Sequence, residues 1–556
     1  MPQPERSYIS VSVSGSNGGY SNIFGNSTDA AYLTGNPFAS SSYDGTNALS
    51  GITPDTTTQF VTVGAGITHA ADAGRFRVAN AGTYLIMVNV TGDRPTEADL
   101  GITLTHKIFK VSGITTTTLT DDNCSYHDDG PFNPIQNQFS IVADLSAGDL
   151  IQSELSLDAG YFGPNPNGRA FSCANGTTII MFQLNGLYSG ARYTAFSSAI
   201  TQDGNVTAFD SDFGGTVATN LNGVTFTASN GTFAPSADRI FLYLSSWIYR
   251  FSATDTGNTV DHKLCRDGSS SGLQEVSVAE FTAASAGYSS TYMILKQVDD
   301  DQNASIKRDQ DTTAQFRFRQ GTSFSFIDIS NNGTLPAAFF SAHINSDSPL
   351  IGTGLTNIYS ETDRGSTYTL QLPLDGDLGT NTGITLNETN GRFTVDVAGA
   401  YLVLNNLHID SSSDSDVGIQ KLFVNGVEKY NASFYKVSTN DPIGNFLCSI
   451  VELNAGDYIE IYGENLQGDI DDGTGIVILK LDPNVVNTGK TKTFNNRDLS
   501  VLNPYDNATQ YNLDKVPATT AVRQAPFILG ARGYGITREN DTAIVVDPGD
   551  KSNTDD

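Results

Sequence analysis

Three stretches of the chain are apolar at odd and even positions alike, a pattern that predicts β-strands buried on both faces. In residues 401–409, YLVLNNLHI, Tyr401 and Leu402 each begin an alternating apolar series, so both faces of the strand are apolar. Residues 84–90, YLIMVNV, and 240–249, IFLYLSSWIY, share this property. One face would be covered by a second sheet, and the other needs another domain or another chain. We expect a contact between chains there, although a central strand beneath a long loop would show the same pattern.

A short motif precedes each of these stretches and recurs at the spacing of whole domains. It consists of Gly-x-Phe and, eight residues after the Phe, an aromatic residue that begins the buried strand. The first glycines are Gly74, Gly231 and Gly391, so the copies are separated by 157 and 160 residues, which is about the size of a domain. Glycine at these positions indicates a turn with positive φ. The motif residues are Gly74, Phe76, Gly82, Tyr84, Gly231, Phe233, Phe241, Gly391, Phe393, Gly399 and Tyr401.

Turn sequences downstream of the motif predict short antiparallel strands in each copy. LSAGDLI at 145–151 and LNAGDYI at 453–459 place the same tight turn between two strands. The second copy is less regular, because Arg239 replaces the second glycine of the motif. Its best match to the turn is FRFRQGTSFSF at 316–326, and its closing strand is predicted in AAFFSAHIN at 337–345.

The motif, the turn and the final aliphatic strand of each copy together resemble the superfamily of tumour necrosis factor and the globular heads of complement component 1q. The resemblance covers about residues 55–482. It implies that each copy is a jelly roll and that the chain forms a tight homotrimer, with the motif residues in the trimer core. We therefore predict an all-β chain of three tandem antiparallel jelly-roll sandwiches with extended N- and C-terminal arms. The predicted parts are an arm at 1–55, jelly rolls at 56–188, 189–348 and 349–483, and an anchor or assembly tail at 484–556.

Composition agrees with this fold and argues against two classes of partner. The chain has 54 Gly and only 16% charged residues, a mixture that favours short strands joined by polar turns. The net charge of −29 argues against nucleic acid as a partner, because phosphate contacts need clustered Lys and Arg. The first residues lack the pattern of a signal peptide, and no apolar run approaches the roughly 20 residues that span a bilayer. We expect synthesis in a cytoplasm and no membrane partner.

The signalling relatives are secreted or anchored and the complement relatives carry collagen stalks, neither of which this sequence shows. Tandem jelly rolls with polar arms look more like proteins on the outside of tailed-phage particles. We therefore predict a non-enzymatic virion protein, a trimeric capsid decoration or head-fibre protein that is attached to the virion surface by its terminal arms. Its partners would be its own copies and other virion proteins such as the major capsid protein.

A tail fibre or receptor-binding protein that recognises host-surface carbohydrate is the alternative function. Tyr161 and Phe162, in GYFGPNPNG, are aromatic loop residues that could stack on sugars, although a turn packed on its own domain would have the same sequence. A secreted signalling ligand is a third option, and it should carry an export signal.

The segment beyond residue 482 changes character, with basic residues that nearly balance the acidic ones and an apolar cluster in QAPFILGARGYGI at 524–536. This cluster predicts an anchor on a partner surface or, alternatively, a terminal strand that folds back on the third jelly roll. The candidate anchor residues are Pro526, Phe527, Ile528, Leu529 and Tyr534.

Few residues point to catalysis or cofactors. The six histidines are scattered without metal-ligand spacing, and there is no G-x-S-x-G elbow, so we predict no enzyme and no cofactor. Acidic loops offer hard oxygen ligands that suit Ca²⁺, although solvated loops have the same composition. Cys124 and Cys173 fall in the same predicted domain and could pair, or both could be free thiols. The candidate calcium ligands are Asp375, Asp377, Asp469, Asp471 and Asp472.

Overall fold

The structure is a computed structural model. In the residues that it describes, the chain is almost wholly β-strand. One four-residue helix, α1 (Glu361–Arg364), interrupts the strands of that described part. The all-β prediction is therefore confirmed. The chain divides into two compact units, Met1–Asn484 and Val485–Asp556. The described residues are 8–14, 20–24, 33–35, 58–63, 67–70, 75–93, 102–119, 124–128, 135–157, 171–174, 176–184, 190–194, 200–202, 206–208, 216–220, 224–227, 232–236, 239–251, 258–266, 274–281, 287–298, 300, 302–310, 316–318, 323–329, 336–344, 348–351, 354–365, 370–371, 382–411, 417–435, 442–470, 474–481, 535–539 and 543–547.

The first fourteen strands form two antiparallel sheets, which we call repeat 1. Its strands are β1 (Tyr8–Ser14), β2 (Tyr20–Phe24), β3 (Leu33–Gly35), β4 (Thr58–Val63), β5 (Ile67–Ala70), β6 (Arg75–Val78), β7 (Gly82–Asp93), β8 (Ile102–Ser112), β9 (Thr115–Thr118), β10 (Cys124–Asp128), β11 (Ile135–Leu145), β12 (Leu150–Leu157), β13 (Phe171–Ala174) and β14 (Thr178–Gln183). The inner sheet has the order β2-β13-β7-β14-β1-β4, with β11 also paired to β7. The outer sheet has the order β10-β8-β12-β6-β5, with β3 paired to β12 and β9 paired to β8.

The next thirteen strands, repeat 2, form a second pair of sheets. They are β15 (Gly190–Thr194), β16 (Ile200–Gln202), β17 (Val206–Ala208), β18 (Thr216–Asn220), β19 (Val224–Thr227), β20 (Thr232–Pro235), β21 (Arg239–Phe251), β22 (Asn258–Arg266), β23 (Gln274–Phe281), β24 (Gly287–Val298), β25 (Ala304–Gln310), β26 (Phe316–Phe318) and β27 (Ser323–Asp328). The inner sheet is β16-β26-β21-β27-β15-β18, with β24 paired to β21, and the outer sheet is β19-β20-β25-β22-β23, with β17 paired to β25.

Repeat 3 has the same arrangement. Its strands are β28 (Phe339–Ile344), β29 (Ser348–Ile351), β30 (Thr356–Asn357), β31 (Leu370–Gln371), β32 (Ile384–Asn387), β33 (Arg392–Val395), β34 (Gly399–Ser411), β35 (Val417–Val424), β36 (Val427–Tyr435), β37 (Pro442–Leu453), β38 (Tyr458–Glu464), β39 (Gly468–Ile470) and β40 (Gly475–Lys480). The inner sheet is β29-β39-β34-β40-β28-β31, with β37 paired to β34, and the outer sheet is β32-β33-β38-β35-β36, with β30 paired to β38.

The first strand of each repeat lies beside its last strand, and this pairing corrects two sequence-based assignments. In the predicted arm at 1–55, β1 pairs with β14 and β4, while β2 and β3 also join the sheets of repeat 1. The segment 337–345 was predicted to close the second copy, yet β28 pairs with β40 and begins repeat 3. Repeat 2 is closed by β27 instead. These neighbours are far apart in sequence, so a local pattern of apolar residues does not identify them.

Each pair of sheets encloses a core of its own. In repeat 1, Ile86 and Met181 of the inner sheet pack with Phe76 and Ile151 of the outer sheet. Repeat 3 has an equivalent core in which both sheets contribute buried aliphatic and aromatic side chains. In repeat 2, Phe233 of the outer sheet stacks on Phe326 of the inner sheet with ring centroids 5.0 Å apart.

A further core joins the three repeats into a closed ring. Strand β11 of repeat 1 contacts β21 and β27 of repeat 2, and β24 of repeat 2 contacts β34 and β40 of repeat 3. Strand β37 of repeat 3 returns to β1 and β14 of repeat 1. The strands β11, β24 and β37 also contact one another. Each repeat thus uses the equivalent strand to contact the inner sheet of the next, as in a head-to-tail interface that closes after three steps.

The second compact unit contains a hairpin of two antiparallel strands, β41 (Gly535–Glu539) and β42 (Ala543–Asp547). The candidate anchor residues from Pro526 to Tyr534 lie outside the described residues. Among the described residues, no helix has the length and apolar character needed to cross a membrane.

Candidate functional site

The repeated aromatic residues fix the turn between the outer and inner sheets. Phe76 and Phe393 are fully buried, and the tyrosine eight residues after each begins the inner strand. Tyr84 Oη donates a hydrogen bond of 2.7 Å to the carbonyl oxygen of Asn80. Tyr401 Oη makes the equivalent bond of 2.5 Å to a carbonyl oxygen four residues upstream. The ring fills the core while the hydroxyl satisfies a turn carbonyl, which explains why an aromatic residue recurs at this position.

Gly391 confirms the prediction of a positive φ at the start of the motif. Its φ is +66°, and a Cβ at this position would lie 2.3 Å from Oδ1 of Asn357. Asn357 Nδ2 donates to the carbonyl oxygens of Asn390 and Gly391, at 3.1 and 3.3 Å. Backbone conformation and a close side chain therefore both require glycine. The predictions for Gly74 and Gly231 lie outside the described residues.

Repeat 2 replaces a glycine by an ion pair. Gly82 of repeat 1 is pressed against Gln183, whose Nε2 lies 2.3 Å from where a Cβ would be. The equivalent positions in repeat 2 are Arg239 and Asp328, which form an ion pair with the aspartate side chain 2% exposed. Phe241 lacks the tyrosine hydroxyl and stacks on another ring of the core with centroids 3.9 Å apart. The irregular motif of the second copy is thus compensated within the repeat.

The predicted tight turn is present in repeats 1 and 3. Gly148 and Gly456 have φ of +94° and +90°. Asp149 accepts a hydrogen bond of 2.8 Å from the amide of Ser146, and Asp457 makes the equivalent bond of 2.7 Å to its own turn. The bonds donated by Asn454 and Asn425 lower the pKa of the Asp457 carboxyl.

In repeat 2 the match of 316–326 to this turn is wrong. That segment contributes β26 and β27, whereas the strands equivalent to β11 and β12 are β24 and β25. The corresponding turn therefore lies between Val298 and Ala304, where the sequence is DDDQN. The polar sequence has no glycine and so lacks the signal on which the match depended.

The second apolar face of the inner strands packs on the other repeats of the same chain. On β7, Tyr84 and Ile86 face the core of repeat 1, while Leu85 and Met87 face the core shared by the three repeats. The shared core contains side chains at equivalent positions of β7, β21 and β34. They are Leu85, Leu242 and Leu402 in one layer and Met87, Leu244 and Leu404 in the next.

Of the two covers considered for this face, the structure shows the one within the chain, because the other repeats pack on it. The reason for expecting a chain–chain contact here is thereby removed. A homotrimer formed through other surfaces stays a prediction.

Polar contacts accompany the apolar ones where repeat 3 meets repeat 1. Tyr8 Oη donates to Glu452 at 2.7 Å, and Asn89 Nδ2 donates to the carbonyl oxygen of Phe446 at 3.1 Å. Thr178 and Tyr430 are joined by a hydrogen bond of 2.5 Å between their hydroxyls. These bonds link the first and last repeats, which are the most distant in sequence.

One polar pair distinguishes the interface of repeats 1 and 2 from the other two. Ser140 Oγ of β11 donates to Ser325 Oγ of β27 at 2.6 Å, and both side chains are buried. The equivalent positions are Met293 and Val477 between repeats 2 and 3, and Cys448 and Ile180 between repeats 3 and 1. Neither of the other two pairs can form a bond between two hydroxyls, and the Cys448 thiol bonds instead to Thr178. The serine pair therefore favours one order of the repeats around the ring.

A mixed aromatic and charged strip on the outer sheet of repeat 3 was not predicted from the sequence. Tyr458, Glu460 and Tyr462 point outward from β38, since Ile459 and Ile461 between them face the core. Arg392 from β33 and Phe423 from β35 complete the strip. The period-two alternation in YIEIYGE predicts a strand with a polar outer face, but it does not show which residues of neighbouring strands join it.

The remaining candidates lie mostly outside the described side chains. Asp375, Asp377, Asp471 and Asp472 fall in segments that the structure does not describe, as do Tyr161 and Phe162. Asp469 lies on β39 opposite Asp410 of β34. Within the described part of the chain, no group of three or more His, Cys, Asp or Glu residues could hold a metal ion. The side chains of Cys124 and Cys173, on β10 and β13, are also outside it.

Comparison with known proteins gives matches of structure alone. No protein-family model matches the chain, and no curated protein matches it. Among solved structures, the Eiger tumour necrosis factor of S. frugiperda has 18% identity and a TM-score of 0.19, and covers 26% of this chain and 93% of its own. Murine APRIL at pH 5.0 has 13% identity and a TM-score of 0.19, with coverage of 26% and 99%.

Proposed function

We propose that this chain is a non-enzymatic structural protein of a tailed-phage virion, a capsid decoration or head-fibre protein. The closed ring supports this proposal most directly, because one chain builds a three-fold unit that a relative with a single jelly roll would need three chains to build. A chain that has a second compact unit besides the ring of repeats is suited to display on a particle. Attachment through the terminal unit to the capsid is part of the proposal.

Immunogold labelling would test this assignment. Antibodies raised against the purified chain should label phage particles from a lysate of the strain that carries the gene, with gold on the head. Gold confined to the tail would favour the alternative, a tail fibre or receptor-binding protein. Particles of that lysate without label, beside detection of the chain in the soluble fraction, would overturn the proposal.

A further inference from the structure

The side chains of the outward strip of repeat 3 hold one another in defined positions on the sheet surface. Tyr458 and Tyr462 are half-buried, and the Glu460 side chain between them is only 4% exposed. Arg392 Nε donates to Glu460 Oε1 at 2.9 Å, while its guanidinium carbon lies 4.3 Å from the centre of the Tyr458 ring. Phe423 packs against Tyr462 at an angle of 60°, with centroids 4.8 Å apart. These contacts hold the rings in place, so little side-chain entropy would be lost on binding.

Repeat 1 has the same framework without the tyrosines. Arg75 Nε donates to Gln152 Oε1 at 3.0 Å, which matches the bond between Arg392 and Glu460. The register of the outer sheets places Leu150 at the position of Tyr458 and Glu154 at the position of Tyr462. Since repeat 1 forms its sheet without aromatic residues there, the two tyrosines are not required by the framework.

The lysine opposite the second tyrosine position has different partners in repeats 1 and 3. In repeat 1, Lys107 stands opposite Glu154 and acts electrostatically on it. The equivalent Lys421 of repeat 3 instead pairs with Glu464 at 2.5 Å and with Glu428 at 3.5 Å. Because Lys421 has these two partners, it does not need a carboxylate at position 462, and an aromatic ring can occupy that position. The Glu464 side chain beside it is 40% exposed.

We propose that this strip binds an oligosaccharide of neutral hexoses or N-acetylhexosamines. A pyranose ring has an apolar face of C–H groups, which fits an aromatic ring, and a rim of hydroxyls that donate to carboxylates and accept from ammonium groups. The Tyr462–Phe423 pair supplies the ring surface, and Glu464 and Lys421 supply the rim contacts. Protein interfaces are also rich in Tyr, Phe and Arg, but they are depleted of Glu and Lys, which here lie beside the rings as Glu464 and Lys421, so a protein partner fits less well. Nucleic acid is disfavoured by the carboxylates.

The test begins with the labelled full chain on an array of oligosaccharides of glucose, galactose, mannose and their N-acetylamino forms. The strongest sugar is then titrated calorimetrically against the wild type and the variant Tyr458→Leu/Tyr462→Gln. We expect at least a tenfold loss of affinity in the variant with an unchanged midpoint of urea unfolding. Glutamine is chosen at position 462 because a second carboxylate would lie beside Glu460.

The matched control is Leu150→Ala/Glu154→Ala, which alters the equivalent positions of repeat 1 and should leave affinity unchanged. The proposal is overturned if no sugar on the array binds, or if the tyrosine variant binds as the wild type does. It concerns the isolated chain and is independent of where the chain sits on a particle, so its failure would leave the virion proposal standing.

Discussion

Removing one hydroxyl of the Ser140–Ser325 pair should destabilise the ring, whereas removing both should cost less than the sum of the two single changes. The two Oγ atoms are 2.6 Å apart, and the residues are 3% and 2% exposed. A buried hydroxyl that loses its partner costs about 1–3 kcal/mol, while removal of both partners leaves no orphan. Ser140→Ala/Ser325→Ala should therefore show a coupling energy of about 1 kcal/mol or more.

The two single variants should differ. Ser325 Oγ also lies 3.5 Å from the carbonyl oxygen of Ser140, so the Ser140→Ala variant leaves it a second, longer-range acceptor. Ser325→Ala removes the acceptor of the Ser140 hydroxyl. We expect a loss of about 1 kcal/mol for Ser140→Ala and about 2 kcal/mol for Ser325→Ala.

Urea unfolding followed by fluorescence would measure these free energies, with the slope of the transition checked for each variant. Single variants as stable as the wild type would show that the pair is not buried at an interface. A double variant whose loss equals the sum of the single losses would refute the direct hydrogen bond.

Three other changes test the repeats individually. Arg239→Gly should destabilise by about 3–5 kcal/mol, because it removes the cation that is paired with the buried carboxylate of Asp328. Tyr401→Phe should cost about 1 kcal/mol in urea unfolding, through loss of a hydrogen bond to a turn carbonyl. Burial lowers the pKa of His106 from 6.5 to about 3, so the unfolded chain binds a proton that the folded chain does not. Between about pH 6.5 and pH 3, stability should therefore fall by up to about 1.4 kcal/mol for each pH unit of acidification.

Each change has its own control. Adding Asp328→Gln to Arg239→Gly recreates the Gly82–Gln183 pair of repeat 1 and should recover most of the loss; no recovery would count against the equivalence of these positions. Phe241, the natural phenylalanine of repeat 2, shows that the ring alone fits, so a large loss in Tyr401→Phe would point to misfolding. His106→Gln should flatten the pH dependence, and an unchanged slope would assign it to other groups.

The inner strands show which features of the fold can be predicted from the sequence and which cannot. Alternation on both faces of residues 84–90 predicts burial on both sides, and Leu85 and Met87 are indeed buried in the shared core. The pattern specifies that a cover exists but not which surface provides it. Burial of leucine and methionine against an apolar surface is equally favourable whether that surface belongs to the same chain or to another.

The errors in repeat 2 and the missed strip have a common cause. Strand β28 pairs with β40 across more than a hundred intervening residues, and no local pattern specifies that pairing. The strip on repeat 3 likewise brings Arg392, Phe423 and Tyr462 together from three strands. Where a single strand and its turn carry the signal, as at Gly456, the sequence was sufficient.

The closed ring within one chain is tested most directly by the variant Ser140→Cys/Ser325→Cys. The serine oxygens are 2.6 Å apart, so the sulfur atoms of cysteines at these positions should come close enough to oxidise to a disulfide. We predict a 140–325 disulfide within a single chain, seen as monomer mass on a non-reducing gel and by peptide mapping. If the inner faces were covered by the same repeat of other chains, residue 140 would face Ile180 of a neighbouring chain, which is the repeat 1 equivalent of Ser325. Absence of the 140–325 disulfide, or its formation between chains, would show that the ring does not close within one chain.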